Sequence, residues 1–307
     1  MTSVEIGLEK DRLPAVNDEI RGDDRTYRLL QILGDGGYGT VFLSQDGDKR
    51  IAVKTEKYSK SMLHIEVNVL KAANAAKAKH FCDLIDYGSN KPDYVFMVMT
   101  LLYKDLHKLR SEMPERRFGI STALRLGMQA FRAIEELHRM GFISRDIKPG
   151  NFAPGQRSNK QGKIIFMYDF GLARRYLDKD LGRRDDLESW FYMLIEITRG
   201  TLPWRLVTDR TAVQAAKQNG RVGAGRTQML FETPRQYDIL LQWIDALAFE
   251  ATPDYDKIYK LLDDLREEKN IRMNEHWDWE DETSCSTTTN TVTSYSDKEL
   301  RAKKENK

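Results

Sequence analysis

The chain has 307 residues, 40% of them apolar and 31% charged, which is enough to bury one large core or two modest ones and too apolar for a disordered polymer. Lys and Arg number 49 against 47 Asp and Glu, a net charge of +2, so no general attraction to nucleic acid or to an anionic membrane surface is expected. Cys82 and Cys285 stand far apart and fit neither a disulfide framework nor a metal site, and the longest apolar run, 95–102, is too short to span a bilayer; a cytoplasmic or nuclear protein is expected.

Residues 1–24 are charged and aperiodic and read as a flexible extension. Strands are predicted over 28–33, 40–44 and 51–56, with Asp46-Gly47-Asp48 as a hairpin turn. A helix is predicted over 61–73, and two more apolar strands over 81–87 and 94–99 complete a five-stranded sheet with a single helix. From there the pattern turns helical: Leu124, Met128, Phe131, Ile134 and Leu137 lie at helical spacing behind a candidate cap at Ser121. Further apolar helices are predicted over 186–198, 236–247 and 254–265, and 271–307 reads as a polar tail containing Ser284-Cys285-Ser286-Thr287-Thr288-Thr289. The expected architecture is α+β, a strand-rich lobe followed by a helical one, with the ligand site in the cleft between them.

The chemistry begins at Gly34-Asp35-Gly36-Gly37-Tyr38-Gly39-Thr40-Val41, a G-x-G-x-x-G between two predicted strands. A dinucleotide fold places such glycines at a helix N-terminus, whereas a hairpin suits a flexible cover over phosphates. Alone, the motif is also compatible with an ordinary glycine-rich turn. Ala52-Val53-Lys54 follows on the third strand, and Glu66, twelve residues on, falls on the predicted helix where its carboxylate can meet the Lys54 ammonium; each taken singly reads equally as a surface charge. Asp146-Ile147-Lys148-Pro149-Gly150-Asn151 and Asp169-Phe170-Gly171 complete the set. Phosphoryl transfer from ATP needs a carboxylate to receive the acceptor hydroxyl proton, for which Asp146 is placed, and oxygen ligands for Mg2+, for which Asn151 and Asp169 are placed. Lys148 can offset charge on the transferred group.

These blocks in this order resemble the protein kinases. Asp146-Ile147-Lys148-Pro149 with Asn151-Phe152, Arg183-Arg184-Asp185-Asp186-Leu187-Glu188-Ser189, Leu202-Pro203-Trp204 and Pro253-Asp254-Tyr255 resemble signatures of the casein kinase 1 group. Trp277-Asp278-Trp279-Glu280, Phe152-Ala153 and Tyr192-Met193-Leu194 resemble its tau-tubulin kinase branch. The resemblance implies a bilobal kinase domain over 25–270, with an N-lobe over 25–100 and a C-lobe over 103–270, acting as a serine/threonine kinase on protein substrates with ATP and Mg2+, as a monomer. It assigns nucleotide contact to Leu33, the loop from Gly34 to Val41, Ala52, Lys54, Met99 as gatekeeper, and Leu102 in a hinge over 100–102. Asp186 is the aspartate that braces the catalytic loop.

Two departures stand out. Ser144 occupies the position where the family has His before Arg-Asp, which removes apolar contacts from under Phe170. Only 17 positions separate Asp169 from Asp186, where the family has several tens, and its Gly-Thr-x-x-Tyr-x-Ser stretch is missing. An extended link of that length reaches roughly 55 Å, enough to keep the fold while putting peptide docking in question. An ATP-binding pseudokinase is therefore the alternative to an active enzyme. Arg174, Arg175, Arg183 and Arg184 form a candidate patch for acidic or primed substrates, or pair with Asp178, Asp180 and Asp185; the tract 284–294 reads as a phosphorylation-regulated tail or a solvated one.

Overall fold

The computed structural model describes residues 11–37, 39–176 and 182–280. A short hairpin comes first, β1 (Glu19–Arg21) against β2 (Thr26–Arg28). It is followed by β3 (Gln31–Asp35), β4 (Gly39–Asp46) and β5 (Lys49–Lys57), then helix α1 (Leu63–Ala75), β6 (Leu84–Asn90) and β7 (Tyr94–Thr100). The last five strands form one antiparallel sheet in the order β3-β4-β5-β7-β6, as expected. Gly47, at φ 58°, makes the two-residue β4–β5 turn possible.

Period-two alternation gives β5 and β7 two distinct faces. Ala52, Met97 and Met99 point toward α1 and the main core, while Ile51, Val53, Phe96 and Val98 point the other way, together with Phe42. A sheet apolar on both faces needs two covers. The second cover is the N-terminal segment: Ile20, Tyr27 and Leu29 are buried on that face, with Leu13 packed beside them. Residues 11–24 are thus folded onto the lobe, in contrast to the flexible extension expected for them, and Arg28 closes β2 instead of opening the sheet.

The C-lobe contains α2 (Leu106–Ser111), α3 (Ile120–Arg139), the short strands β8 (Phe142–Ile143), β9 (Phe152–Pro154), β10 (Ile165–Met167) and β11 (Arg174–Arg175), then α4 (Arg183–Arg199), α5 (Arg210–Asn219), α6 (Gly223–Met229), α7 (Arg235–Asp245) and α8 (Tyr255–Glu268). The helices α3 and α4 meet at the centre. Trp190 is fully buried with its ring 4.8 Å from that of Phe131, and its indole N–H donates to the Gly127 carbonyl at 2.9 Å. A side chain at position 127 would strike Leu194, so the glycine sets how closely the two helices approach.

Residues 271–280 also differ from the polar tail expected over 271–307. Ile271 and Trp277 are buried, and Trp277 stacks on Trp279 at 5.1 Å, lies under the Arg125 guanidinium at 4.2 Å and donates to the Gly162 carbonyl at 2.9 Å. This segment supplies the cap of α3. Asp278 accepts from the Gly119 amide at 2.6 Å and the Thr122 hydroxyl at 2.7 Å, whereas Ser121, the expected cap, donates its hydroxyl to Glu275. The remainder of the tail, 281–307, with the Ser/Thr tract, lies outside the described residues. Trp277→Ala is expected to destabilise the chain by about 3–5 kcal/mol, read by urea denaturation, because it opens a cavity under Arg125 and releases the anchor of the α3 cap.

Candidate active site

The cleft is lined by the sheet's inner face, α1 and the loops around β8 to β11. The β3–β4 hairpin carries the glycine loop: the Gly36 amide donates to the Gly39 carbonyl at 3.0 Å and the Thr40 hydroxyl to Asp35 at 2.7 Å. Of these glycines Gly39 is sterically required, since a side chain there would collide with the Thr55 carbonyl on β5, while positions 34 and 37 face open space. Tyr38 lies outside the described residues. Leu33 and Val41 flank the loop on β3 and β4, and Ala52 and Met99 are cross-strand partners on β5 and β7, buried at the back of the cleft. Leu102 follows β7; its carbonyl accepts from the Gln156 side chain at 2.7 Å, and the Tyr103 amide bonds the Pro154 carbonyl at 2.9 Å, which ties this connection to β9.

Lys54 lies opposite Met97 on β5 and reaches Glu66 on α1 in a direct ion pair, with Asp169 at 3.3 Å and Glu56 at 3.7 Å. Burial by itself favours the neutral amine, but the attraction of Glu66 and then Asp169 outweighs it and holds the ammonium well above the ordinary lysine range. The sequence thus placed Lys54 and Glu66 correctly as a pair. It did not single out Glu56, which looks like one more charge beside a lysine.

The catalytic loop is held from below by Asp186 on α4. Its two carboxylate oxygens accept from the Ser144 amide at 2.7 Å and the Arg145 amide at 2.9 Å, and His138 Nε2 donates to it at 3.0 Å. With that proton on Nε2, His138 Nδ1 accepts from the Tyr255 hydroxyl at 2.7 Å. This gives the Pro253-Asp254-Tyr255 signature a physical role: Asp254 caps α8 through the Lys257 amide, and Tyr255 reaches the brace. Arg145 sits at φ 66° and Asp169 at φ 65°, both in the left-handed region against the local backbone preference; the exposed Arg145 side chain reaches the Leu172 carbonyl at 3.5 Å, and Asp169 reaches Lys54.

On this support Asp146 accepts from Lys148 Nζ at 2.7 Å and from the Asn151 side-chain amide at 3.0 Å, which also bonds the Asp146 carbonyl at 2.8 Å. The amide nitrogen of Asn151 being committed to Asp146, its oxygen is the atom available to a cation. The Asp169 side chain is 45% exposed and uses one oxygen on Lys54. Two hard oxygen donors suit a Mg2+ ion that shares its shell with phosphates and water. Among the described residues no cluster of three or more His, Cys, Asp and Glu is arranged to hold a metal by itself.

Neither departure from the kinase pattern disperses these groups. Ser144 is buried, and its hydroxyl accepts from the Asp146 amide at 3.3 Å, a bond that serves the loop. Phe170 is buried as well, its ring stacked on Phe81 at 5.4 Å, so the apolar support expected from the family's His comes from the segment before β6. Beyond Gly171 the chain returns at once to the catalytic loop, β11 pairing with β8. Residues 177–181, with Asp178 and Asp180, lie outside the described residues. At Gly182 the chain enters α4 directly: Asp185 accepts from the Gly182 amide at 2.7 Å, Arg184 donates to the Leu247 carbonyl at 2.9 Å, and Arg183 donates to Thr252 at 3.0 Å.

This is the arrangement of a phosphotransferase cleft, and comparison with known proteins agrees: the family model for the protein kinase domain matches residues 27–201. The chain belongs to the protein kinase family. It is 31% identical over 290 residues to a probable serine/threonine-protein kinase of Dictyostelium discoideum, a match covering 84% of this chain and 57% of that protein. It is 28% identical to the serine/threonine-protein kinase spe-6 of Caenorhabditis elegans, covering 85% and 77% of the two chains, and 31% identical to a putative serine/threonine-protein kinase of the same organism, covering 83% and 74%. All three relatives are named serine/threonine-protein kinases, and the chain spans little more than half the length of the Dictyostelium relative. Asp186→Asn is expected to cost about 2–3 kcal/mol, because it replaces a buried charged acceptor of three hydrogen bonds with an amide; equilibrium unfolding of the two forms measures the difference.

Proposed function

We propose that this chain transfers the γ-phosphoryl group of ATP to Ser or Thr hydroxyls of protein substrates, with Mg2+ as the metal. The observation that carries the reading is the joint placement of Asp146, Lys148, Asn151, Asp169, Lys54 and Glu66 on one cleft, from four separate stretches of sequence. Asp146 receives the proton of the acceptor hydroxyl as its oxygen bonds the γ-phosphorus and the bond from that phosphorus to the β–γ bridging oxygen breaks, ADP leaving; Lys148 lies beside it to offset charge on the group in transfer. Asn151 and Asp169 would hold the metal by their side-chain oxygens, and Lys54, aligned by Glu66, would meet the phosphates nearer the nucleoside. The metal, when bound, neutralises phosphate charge and orients the terminal group. Ala52, Val41 and Leu33 bound the adenine pocket with Met99 at its back and Leu102 at its edge, beneath the glycine loop.

Within the family we assign the chain to the casein kinase 1 group and its tau-tubulin kinase branch, on the motifs around Asp146, Arg183, Trp204, Pro253 and Trp277. Supporting this, the branch-type Trp277-Asp278-Trp279-Glu280 ending is a working part of the C-lobe, as cap and anchor of α3. The kinase domain is proposed to act as a monomer in the cytoplasm or nucleus. Of the basic residues expected to favour acidic or primed peptides, Arg183 and Arg184 are engaged with the 247–252 turn, which leaves Arg174 and Arg175, exposed beside the catalytic loop, as the contribution to such a preference. The binding-only alternative is the weaker reading, because the catalytic groups are assembled independently of the shortened link.

The test is transfer from Mg-ATP to casein by the purified chain. Asp146→Asn is expected to lower the rate by about a hundredfold or more while leaving ATP binding in place. Absence of transfer by the parent chain would remove the catalytic assignment.

A further inference from the structure

One buried acidic residue that neither the motifs nor the roles above absorb is Glu56. It lies on β5 two positions after Lys54, so both side chains project from the same inner face of the strand. Three elements of the site converge on it. Its backbone lies opposite Gly39, the last glycine of the loop, and a side chain at 39 would press on the Glu56 backbone as well as on the Thr55 carbonyl. Its Oε1 is 3.7 Å from the Lys54 ammonium. Its Oε2 accepts from the Met62 amide and from the Ser61 hydroxyl, both at 2.9 Å.

The last contact closes the start of α1. Met62 is the N-cap residue, and its own thioether side chain accepts nothing from the helix. Glu56 and Ser61 do this work from outside the helix: the carboxylate takes the Met62 amide, and the Ser61 hydroxyl, oriented by that same carboxylate, takes the Leu63 amide at 2.9 Å. One turn further on, α1 carries Glu66. The linker before the helix is pinned on its outer side too, where Asp11 accepts from the Ser59 amide at 2.8 Å and from the Ser59 hydroxyl.

We propose that Glu56 is a positioning residue for phosphoryl transfer: its carboxylate caps α1 and flanks Lys54 at the same time, and thereby fixes where the helix presents Glu66 to the lysine. It touches no reacting atom and acts through Lys54 and Glu66. A carboxylate that is only part of the lobe's packing would alter overall stability without a local effect at the helix start.

The experiment is amide hydrogen exchange on the nucleotide-free full chain, combined with Mg-ATP binding. Glu56→Ala is expected to speed exchange at Met62 and Leu63 by about fivefold, the value of one lost cap, with α4 unchanged. The same variant is expected to weaken Mg-ATP binding several-fold. Glu56→Gln keeps an oxygen acceptor for the Met62 amide and is expected to restore slow exchange at both positions. Unchanged exchange at Met62 and Leu63 in a folded Glu56→Ala chain would overturn the proposal. Should that variant fail to fold, Glu56→Gln decides: protection as in the parent supports the cap, and loss of protection overturns it. The nucleotide arm rests on the kinase reading, whereas the exchange arm does not, so a parent chain that binds no Mg-ATP would count against that reading and leave the comparison of exchange rates intact.

Discussion

A carboxylate buried at the base of the catalytic loop organises the rest of the site. Asp186 enters the interior on α4, among side chains as large as Trp190 and Phe191, and spends its charge on two backbone amides and one imidazole. Burying an ion in such a place is costly unless every lone pair is used, and here the hydrogen bonds that satisfy it also set the path of residues 144 and 145. The left-handed turn at Arg145 follows, and with it the direction of Asp146. Through His138 and Tyr255 the same centre reaches the start of α8, so the helical lobe is bound into one unit with the loop at its upper surface.

That arrangement explains how the short connection between Asp169 and Asp186 is accommodated. What holds the loop comes from α4, α3 and α8, and the glycine hairpin, Lys54 and Glu66 come from the other lobe. The connection has only to join Asp169-Phe170-Gly171 to the first turn of α4, and β11 and the Gly182–Asp185 cap anchor its two ends. The charged groups of the cleft keep their register whatever the length of this connection.

Much of the fold and site was legible because the informative residues follow recognisable patterns: alternating burial on β4, continuous apolar runs on β5 and β7, the glycine hairpin, and acidic groups whose roles are defined by order along the chain. The unread parts depend on contacts distant in sequence. Ile20 and Tyr27 are isolated apolar residues among charges, and they become a cover only because the outer face of β5 and β7 is apolar. Asp278 caps a helix whose N-cap residue, Gly119, lies 159 positions earlier, which no local pattern can signal. Phe81 replaces a missing histidine by stacking from another lobe element, and Glu56 hides as a charge next to a lysine. Local periodicity reports faces and termini, and it is silent about the partner that satisfies them.

The surroundings of Lys54 have one more consequence. Three carboxylates, from Glu56, Glu66 and Asp169, share a single ammonium, so this corner of the cleft holds two more negative charges than positive ones. On the proposed reading, a phosphate-bearing ligand approaching alone would meet repulsion there, which a divalent ion bound beside it would offset. Each would then lower the electrostatic work of admitting the other, so the two occupancies would be linked by one coupling free energy, the same whichever arrives first.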